Sequence, residues 1–384
     1  MRRVSAALVL AALLIAAGFA CGREPESPAS KTFKTQSGAS LQVDSFVTGL
    51  EVPWSLVFTS PTRLLVTERP GRVRVIEKGV LQKKPLAVLP DVEASGESGL
   101  MGMAIAPDYE RSKLLYLAYA YDTPKGPKVR IVRFRDTGDA LTDRTVIIEG
   151  LPAAQYHAGC RLRFGPDGKL YATTGDATTR EIAQDLKSLG GKTLRLNPDG
   201  SIPADNPFPG TPIFSYGHRN SQGLDWDPRS GLQFQTEHGP SGFDGPGGGD
   251  EVNIVEAGKN YGWPLVHHRE TKEGTVPPLL EYTPAVAPSG ASFSRGDLLP
   301  SFKGDFFFAT LRGERLIRVR MDPSNPRRVA ETEELFTGVY GRLRDVVSGP
   351  DGALYVATSN RDGRGKPAPG DDRILRVVEI RPVH

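Results

Sequence analysis

Gly165-Pro-Asp-Gly-Lys-Leu-Tyr-Ala-Thr-Thr-Gly-Asp176 and, far along the chain, Gly349-Pro-Asp-Gly-Ala-Leu-Tyr-Val-Ala-Thr358 are two copies of one pattern. In each, a Gly/Pro/Asp turn runs into a short apolar strand. A second strand then follows, with arginine among aliphatic residues: Lys192-Thr-Leu-Arg-Leu after the first copy, Arg373-Ile-Leu-Arg-Val after the second. Repetition of this kind decides an architecture before any single residue does.

Four further copies lie around and between these two. Arg63-Leu-Leu-Val-Thr-Glu pairs with Gly71-Arg-Val-Arg-Val-Ile, and Leu114-Leu-Tyr-Leu-Ala-Tyr with Lys128-Val-Arg-Ile-Val-Arg-Phe. Gly231-Leu-Gln-Phe-Gln-Thr-Glu pairs with Asp250-Glu-Val-Asn-Ile-Val, and Gly304-Asp-Phe-Phe-Phe-Ala-Thr with Arg315-Leu-Ile-Arg-Val-Arg. Six such units predict an all-β fold, a six-bladed β-propeller over residues 41-384, because blades bury their sheet faces against neighbouring blades. A β-sandwich is the alternative, but a sandwich does not require the same turn and strand pair six times. A strand from Leu41 to Phe46 is expected to pair with the C-terminal strand and close the ring. Composition agrees: 43 Gly and 32 Pro in 384 residues leave little room for long helices.

The charge balance excludes one class of partner. The 48 basic and 45 acidic residues are interspersed and sum to +3, so the chain lacks the single-sign field of a nucleic-acid binder. Residues 1-20 open on Arg2 and Arg3, continue as an apolar run from Val4 to Ala20, and meet Cys21. That is the form of a lipoprotein-type export signal, and the run is short for a membrane span. Residues 21-40 read as a flexible, polar tether. The expectation is an exported protein, periplasmic or cell-envelope, touching a membrane only through a lipid anchor on Cys21. Gly18 departs from the branched apolar residue usual in a lipobox, so a cleaved soluble form stays open. The second cysteine, Cys160, then has no intrachain partner for a disulfide.

Four segments break the blade pattern: Tyr156-His157-Ala158-Gly159-Cys160-Arg161, Gly217-His218-Arg219-Asn220-Ser221-Gln222-Gly223, Glu237-His238-Gly239-Pro240, and Asp250-Glu251-Val252-Asn253 with Asn260-Tyr261-Gly262-Trp263-Pro264. With Gly99-Leu100-Met101-Gly102, Arg342-Leu343-Arg344-Asp345 and the Ala287-Pro288-Ser289-Gly290 turn, this set resembles the soluble aldose sugar dehydrogenases that depend on pyrroloquinoline quinone (PQQ), the glucose/sorbosone dehydrogenase family. Any one of these motifs alone is a weak signal; their order and spacing together are specific.

The resemblance implies oxidation of an aldose at the anomeric carbon to a lactone, with PQQ and calcium as cofactors and an external electron acceptor. PQQ is a planar tricarboxylate, so its site needs cations and an oxygen-rich calcium position. Arg342 and Arg344, two apart, share a face of a regular strand. By resemblance both hold PQQ, together with Glu97, His157, Arg219, Asn220, Gln222 and Arg312. His157 is the implied general base, taking the hydroxyl proton as a hydride leaves, and Arg219 faces the negative charge that develops. The carbonyls of Gly239 and Pro240 are the implied calcium ligands, and a constrained X-Pro turn can leave such carbonyls unpaired. Glu251 and the Tyr261 carbonyl fit a second calcium, or Glu251 is a turn carboxylate without a metal.

Taken alone, an arginine in such a strand is ordinarily a solvated edge residue and a lone histidine a packed one; the matched context gives them roles here. Glu97 stands where relatives commonly have Gln, and Ala285 where some have Thr. A carboxylate at position 97 is costly beside a tricarboxylate unless calcium or an arginine screens it. Gly239 to Gly249 reads as a rim loop too rich in glycine to pack, with Phe243 placed to meet substrate. Two rivals remain at this stage: a catalytically silent binding propeller, and a calcium-dependent lactonase-type hydrolase, which would need acidic and Asn side chains from several blades converging on a central cation. Relatives suggest a monomer or dimer, and the sequence does not name the sugar.

Overall fold

The computed structural model describes residues 30–380, so the signal segment and Cys21 lie outside the described residues. Six antiparallel sheets, one per blade, follow one another along the chain. In every blade the repeated pair forms the second and third strands, as in Leu170–Thr173 with Lys192–Leu196 and Leu354–Thr358 with Ile374–Ile380. Before each pair runs a first strand that faces the axis: Pro53–Ser60, Leu100–Ile105, Leu162–Phe164, Ser221–Trp226, Pro288–Phe293 and Leu343–Ser348. Each of these touches the next, and the last touches the first.

The repeated residues have a shared physical job. Tyr171 lies opposite Arg195 across the ladder, and Asp167 in the preceding turn accepts from Tyr171 Oη (3.1 Å) and Arg195 Nε (2.9 Å). In the last blade Asp351 accepts from Tyr355 Oη (3.0 Å) and Arg376 Nε (3.0 Å), with Tyr355 opposite Arg376. The turn aspartate thus clasps the two strands that follow it, which is why Gly-Pro-Asp-Gly, Tyr and the strand arginine recur together.

The ring closes through the N-terminal strand. Ser40–Val47 pairs antiparallel with Ile374–Ile380, Leu41 opposite Glu379 and Val43 opposite Val377. The structure corrects the tether, however. Lys31–Lys34 is a fifth strand of this blade, paired with Ser40–Val47, and Phe33 packs edge-on against Phe336 with ring centroids 4.7 Å apart. The folded chain therefore starts some residues before position 41. Lys-Thr-Phe-Lys has only one apolar side chain, so an edge strand with a solvated face looked like linker.

The axis is plugged. Trp54, 1% exposed, has the guanidinium groups of Arg161 (4.4 Å from its ring centroid) and Arg344 (5.7 Å) over its ring. Arg161 is held in turn by Asp345 (3.2 Å), the Gln222 carbonyl (2.9 Å) and Ser55 Oγ (3.2 Å). Beyond the plug, a funnel of about 590 Å³ opens on the face opposite the sequence-marked residues.

The closing strand should carry much of the stability. Leu41 is 1% exposed, and Leu41→Ala is expected to cost about 2–4 kcal/mol in urea denaturation. Thr32→Ala on the exposed edge should change stability by less than ~0.5 kcal/mol. A Leu41→Ala loss as small as that of Thr32→Ala would show that closure contributes little.

Candidate active site

Because neighbouring strands run antiparallel, the segment entering each first strand and the loop between second and third strands emerge on the same face. Glu97, His157, Arg219 and Arg342 come from segments of the first kind; Asp176, Pro240, Arg312 and Arg364 come from loops of the second kind. All of these except Asp176, which stands behind His157, line a cavity of about 510 Å³. A narrow extension at its base reaches Gln222, Arg342 and Arg344.

His157 is 4% exposed and has φ +58°, a left-handed backbone that costs a non-glycine residue roughly 1–2 kcal/mol. Its main chain presses on Gly175, where an added Cβ would lie 1.8 Å from the His157 carbonyl oxygen. That contact lets Asp176 approach. His157 Nδ1 is 2.7 Å from Asp176 Oδ1, and Trp263 Nε1 donates to Asp176 Oδ2 at 2.8 Å. The Thr178 N–H also donates to Asp176 Oδ1 (2.8 Å). A carboxylate saturated in this way acts as acceptor to His157, so Nδ1 carries the hydrogen and Nε2 keeps its lone pair on the cavity side. The Phe243 ring stacks on the imidazole, centroids 6.0 Å apart.

Arg219 is 1% exposed and fully engaged. Its Nε donates to Asp244 (2.7 Å), its terminal nitrogens to the His238 carbonyl (3.2 Å) and Ser241 Oγ (3.0 Å), and its backbone N–H to Glu237. These bonds correct the reading of residues 239 to 249 as an unpacked rim loop. Asp244 and Ser241 tie the loop to a buried cation, the Gly248 N–H donates to the Pro240 carbonyl (3.2 Å), and Gly239 lies so close to the returning chain that a Cβ would meet the Gly248 and Gly249 oxygens at 2.2 Å. Glycine here permits close packing of backbone on backbone. The Pro240 carbonyl is accordingly not unpaired, although its second lone pair is available; among the described residues nothing donates to the Gly239 carbonyl.

Arg342 and Arg344 do converge on the cavity base, with different partners. Arg342 Nε donates to Asp362 (2.8 Å). Arg344, 5% exposed, donates to Gln222 Oε1 (3.1 Å) and Ser289 Oγ (3.3 Å), and its Nε is buried with no hydrogen-bond partner. No carboxylate among the described residues pairs with it, and burial pulls the guanidinium down to about 10 against the field of Asp362. Asn220 and Gln222 form the polar layer beneath: Gln222 Nε2 donates to Asn220 Oδ1 (3.0 Å) and to the Gly159 carbonyl (3.2 Å). Arg312 lines the cavity with an exposed side chain, and Ala285 lines it too.

Glu97 meets the condition set for a carboxylate at this position. Arg364 donates to it at 3.1 Å, and the His157 N–H (3.3 Å) and Asn220 Nδ2 (3.4 Å) point at its other oxygen. Burial would raise the carboxyl, but His238, Arg364 and His157 outweigh it and hold it below the usual range. Glu251 has the opposite setting. Burial, then the neighbouring Glu237, push it well above the usual carboxylate range, and its side-chain partner is the Asn253 amide (2.9 Å). Glu237, Glu251 and Glu281 stand directly opposite one another across three strands. Glu251 and Tyr261 line one small chamber with Gly239 and Pro240.

Three participants escaped the sequence reading. Asp176 was quoted only as the end of a repeat, and its signal was that this copy continues Thr-Thr-Gly-Asp where the last copy has Thr-Ser-Asn. Arg364 sits in a polar Gly/Arg stretch that resembles any surface loop. His238 lines the cavity, its Nε2 is buried without a partner, and burial lowers its basicity against Asp250 and Glu97.

A six-bladed ring with a His–Asp pair over an arginine-based axial cavity defines the propeller class of sugar dehydrogenases. The chain belongs to the glucose/sorbosone dehydrogenase family, whose model matches residues 50–375. It is 34% identical over 349 residues to aldose sugar dehydrogenase YliI of Escherichia coli K12, covering 85% of this chain and 92% of that protein. Among solved structures it is similar to the Thermus thermophilus protein designated a glucose dehydrogenase, at 44% identity and TM-score 0.81 over 88% of this chain and 100% of that one. It is also similar to the PQQ-bound aldose sugar dehydrogenase of Streptomyces coelicolor, at 36% identity and TM-score 0.79 over 89% and 99%.

Cys160 is fully buried and burial raises its thiol to about 12, which fits a packed residue rather than a nucleophile. In a Cys21→Ser protein, a thiol reagent at pH 8 should label nothing until denaturant is added. Rapid labelling of the native protein would contradict this assignment.

Proposed function

We propose that this protein is a PQQ- and calcium-dependent aldose sugar dehydrogenase of the cell envelope, oxidising an aldose at its anomeric carbon to the lactone and passing electrons to an external acceptor. The observation that carries the reading is Arg344. A buried cation with an unpaired N–H and no carboxylate is costly alone and is satisfied by an anion entering the cavity. Arg342 beside it and Arg312 at the wall fit the same ligand, and the planar guanidinium suits carboxylates. The lactonase reading needs acidic side chains converging on the axis, where this chain has arginines instead.

PQQ, when bound, supplies the two-electron acceptor for the hydride from C1. The residues of the chain do the rest. His157 Nε2 takes the proton from the C1 hydroxyl, and Asp176 stabilises the imidazolium that results. Arg219, fixed by Asp244 and Ser241, offers positive charge without having to reorganise. Loss of one hydride and one proton converts the cyclic sugar to its lactone, with no water consumed. Tyr156 and Phe243 flank the base and limit the approach of water. The carbonyls of Gly239 and Pro240 would hold a calcium near the acceptor. Among the described residues no three His, Cys, Asp or Glu side chains form a metal cluster, so a second calcium at Glu251 would draw on main-chain oxygens such as that of Tyr261.

The full-length protein supplied with PQQ and calcium should bind PQQ by calorimetry and reduce a dye with aldoses. Absence of PQQ binding would sink the proposal. His157→Ala should keep PQQ binding and lose at least ~100-fold in kcat, and Asp176→Asn should lose roughly as much by freeing the wrong tautomer. An unchanged kcat in either variant removes the His–Asp pair from the mechanism.

For the second calcium, the expected result is a rise in Tm on adding calcium and a fall with a chelator. Glu251→Gln should make that rise smaller, leaving the part due to calcium at Gly239 and Pro240. The sign in metal-free protein follows from the raised carboxyl: the group favours folding below its unfolded pKa, and that contribution is lost as pH climbs through the folded value. Metal-free Glu251→Gln should therefore be more stable than the parent at neutral and alkaline pH. A variant less stable there, or one stabilised by calcium as much as the parent, rules the site out.

A further inference from the structure

Among the carboxylates lining the cavity and its base, two are consumed by the chain's own scaffold. Asp250 accepts from the N–H groups of Gly239 (2.8 Å), Val286 (2.7 Å) and Ala287 (2.7 Å). Asp362 holds Arg342 Nε (2.8 Å) and the N–H groups of Arg364 (2.9 Å) and Gly365 (3.1 Å). Glu97 differs, because two of its contacts are long (3.3 and 3.4 Å) and its one close charged partner is Arg364 (3.1 Å).

The backbone that carries Glu97 is anchored. Its N–H donates to the Gln155 carbonyl (2.8 Å), Ser98 Oγ donates to the Ala154 carbonyl (2.7 Å), and Arg69 clamps the Gly96 carbonyl (2.6 Å). Its carboxylate stands at the wall of a cavity whose other free charges are cations. Arg364 comes from the opposite end of the chain, from the loop between the second and third strands of the last blade. It is aimed by Asp362 at its backbone and by the Tyr156 ring beneath its guanidinium, 5.2 Å from the centroid.

We infer that Arg364 is a positioning residue for anion binding: its ion pair with Glu97 cancels a carboxylate that would otherwise repel an anionic cofactor. The inference rests on the PQQ reading and deepens it. An uncompensated carboxylate lining a partly desolvated cavity that takes a tricarboxylate would cost about one to two powers of ten in affinity. As an isolated surface pair the same contact would contribute little to folding, since the Arg364 side chain is 53% exposed.

A double-mutant cycle tests this, read by PQQ affinity in calorimetry with the full chain and no sugar, calcium held constant. Arg364→Ala should weaken PQQ binding about tenfold or more, with Tm within a few degrees of the parent. In a Glu97→Gln background the same substitution should change affinity by less than about threefold, and Arg364→Lys should retain most of the parental affinity. Equal losses in both backgrounds would mean that Arg364 acts on the ligand directly and would overturn the inference, as would no loss in either. A parent chain that fails to bind PQQ overturns the cofactor reading and this inference together; parental binding with no coupling overturns the inference alone.

Discussion

The antiparallel ladder between Ser40–Val47 and Ile374–Ile380 joins the two ends of the folded chain, and without it the last blade would present an open edge and the six first strands would have no fixed axis. Much of the site is referred to that axis. Arg344 leaves the first strand of the last blade and lies over the Trp54 ring of the first blade, 5.7 Å from its centroid, a contact across the seam where the ring closes. Arg364 and Glu97 likewise meet across the seam between the last blade and the segment entering the second. A ladder on the outer part of one sheet therefore sets distances at the centre of the molecule.

Around the cavity, charge is arranged by how completely each group is paired. Arg219 and Arg342 have their own carboxylates, Asp244 and Asp362, which fix their direction and remove most of their net field. Arg344 has only neutral partners, so its charge stays available at the base. His157 is paired through one nitrogen only, Nδ1 with Asp176. The same chemical types thus serve as scaffold or as reagent according to what they touch.

Two blades were legible because the turn aspartate, strand tyrosine and strand arginine bond to one another, a local requirement printed twice in the sequence, and the other four through their paired apolar strands. The first strands were less visible. Ser221–Trp226 and Pro288–Phe293 are buried on both faces, so they show no alternation, and Ser, Gly, Gln and Asp interrupt their apolar character where they meet the axis. Lys31–Lys34 was hidden for the opposite reason, being an edge strand with little to bury. In the site, motif residues that act from one segment, such as Arg342 with Arg344, could be anticipated. Asp176, Arg364 and the anchoring of Phe243 and Asp244 depend on segments that meet only in three dimensions.

The cluster of Trp54, Arg161 and Arg344 stands between the funnel on one face, which Arg161 lines, and the cavity on the other, which Arg344 lines. It makes the cavity a blind well with a single doorway. Under the proposed chemistry, sugar and electron acceptor must then call at that doorway in turn, the lactone leaving before the acceptor arrives. Turnover becomes two alternating half-cycles, and a high concentration of either visitor would obstruct the other.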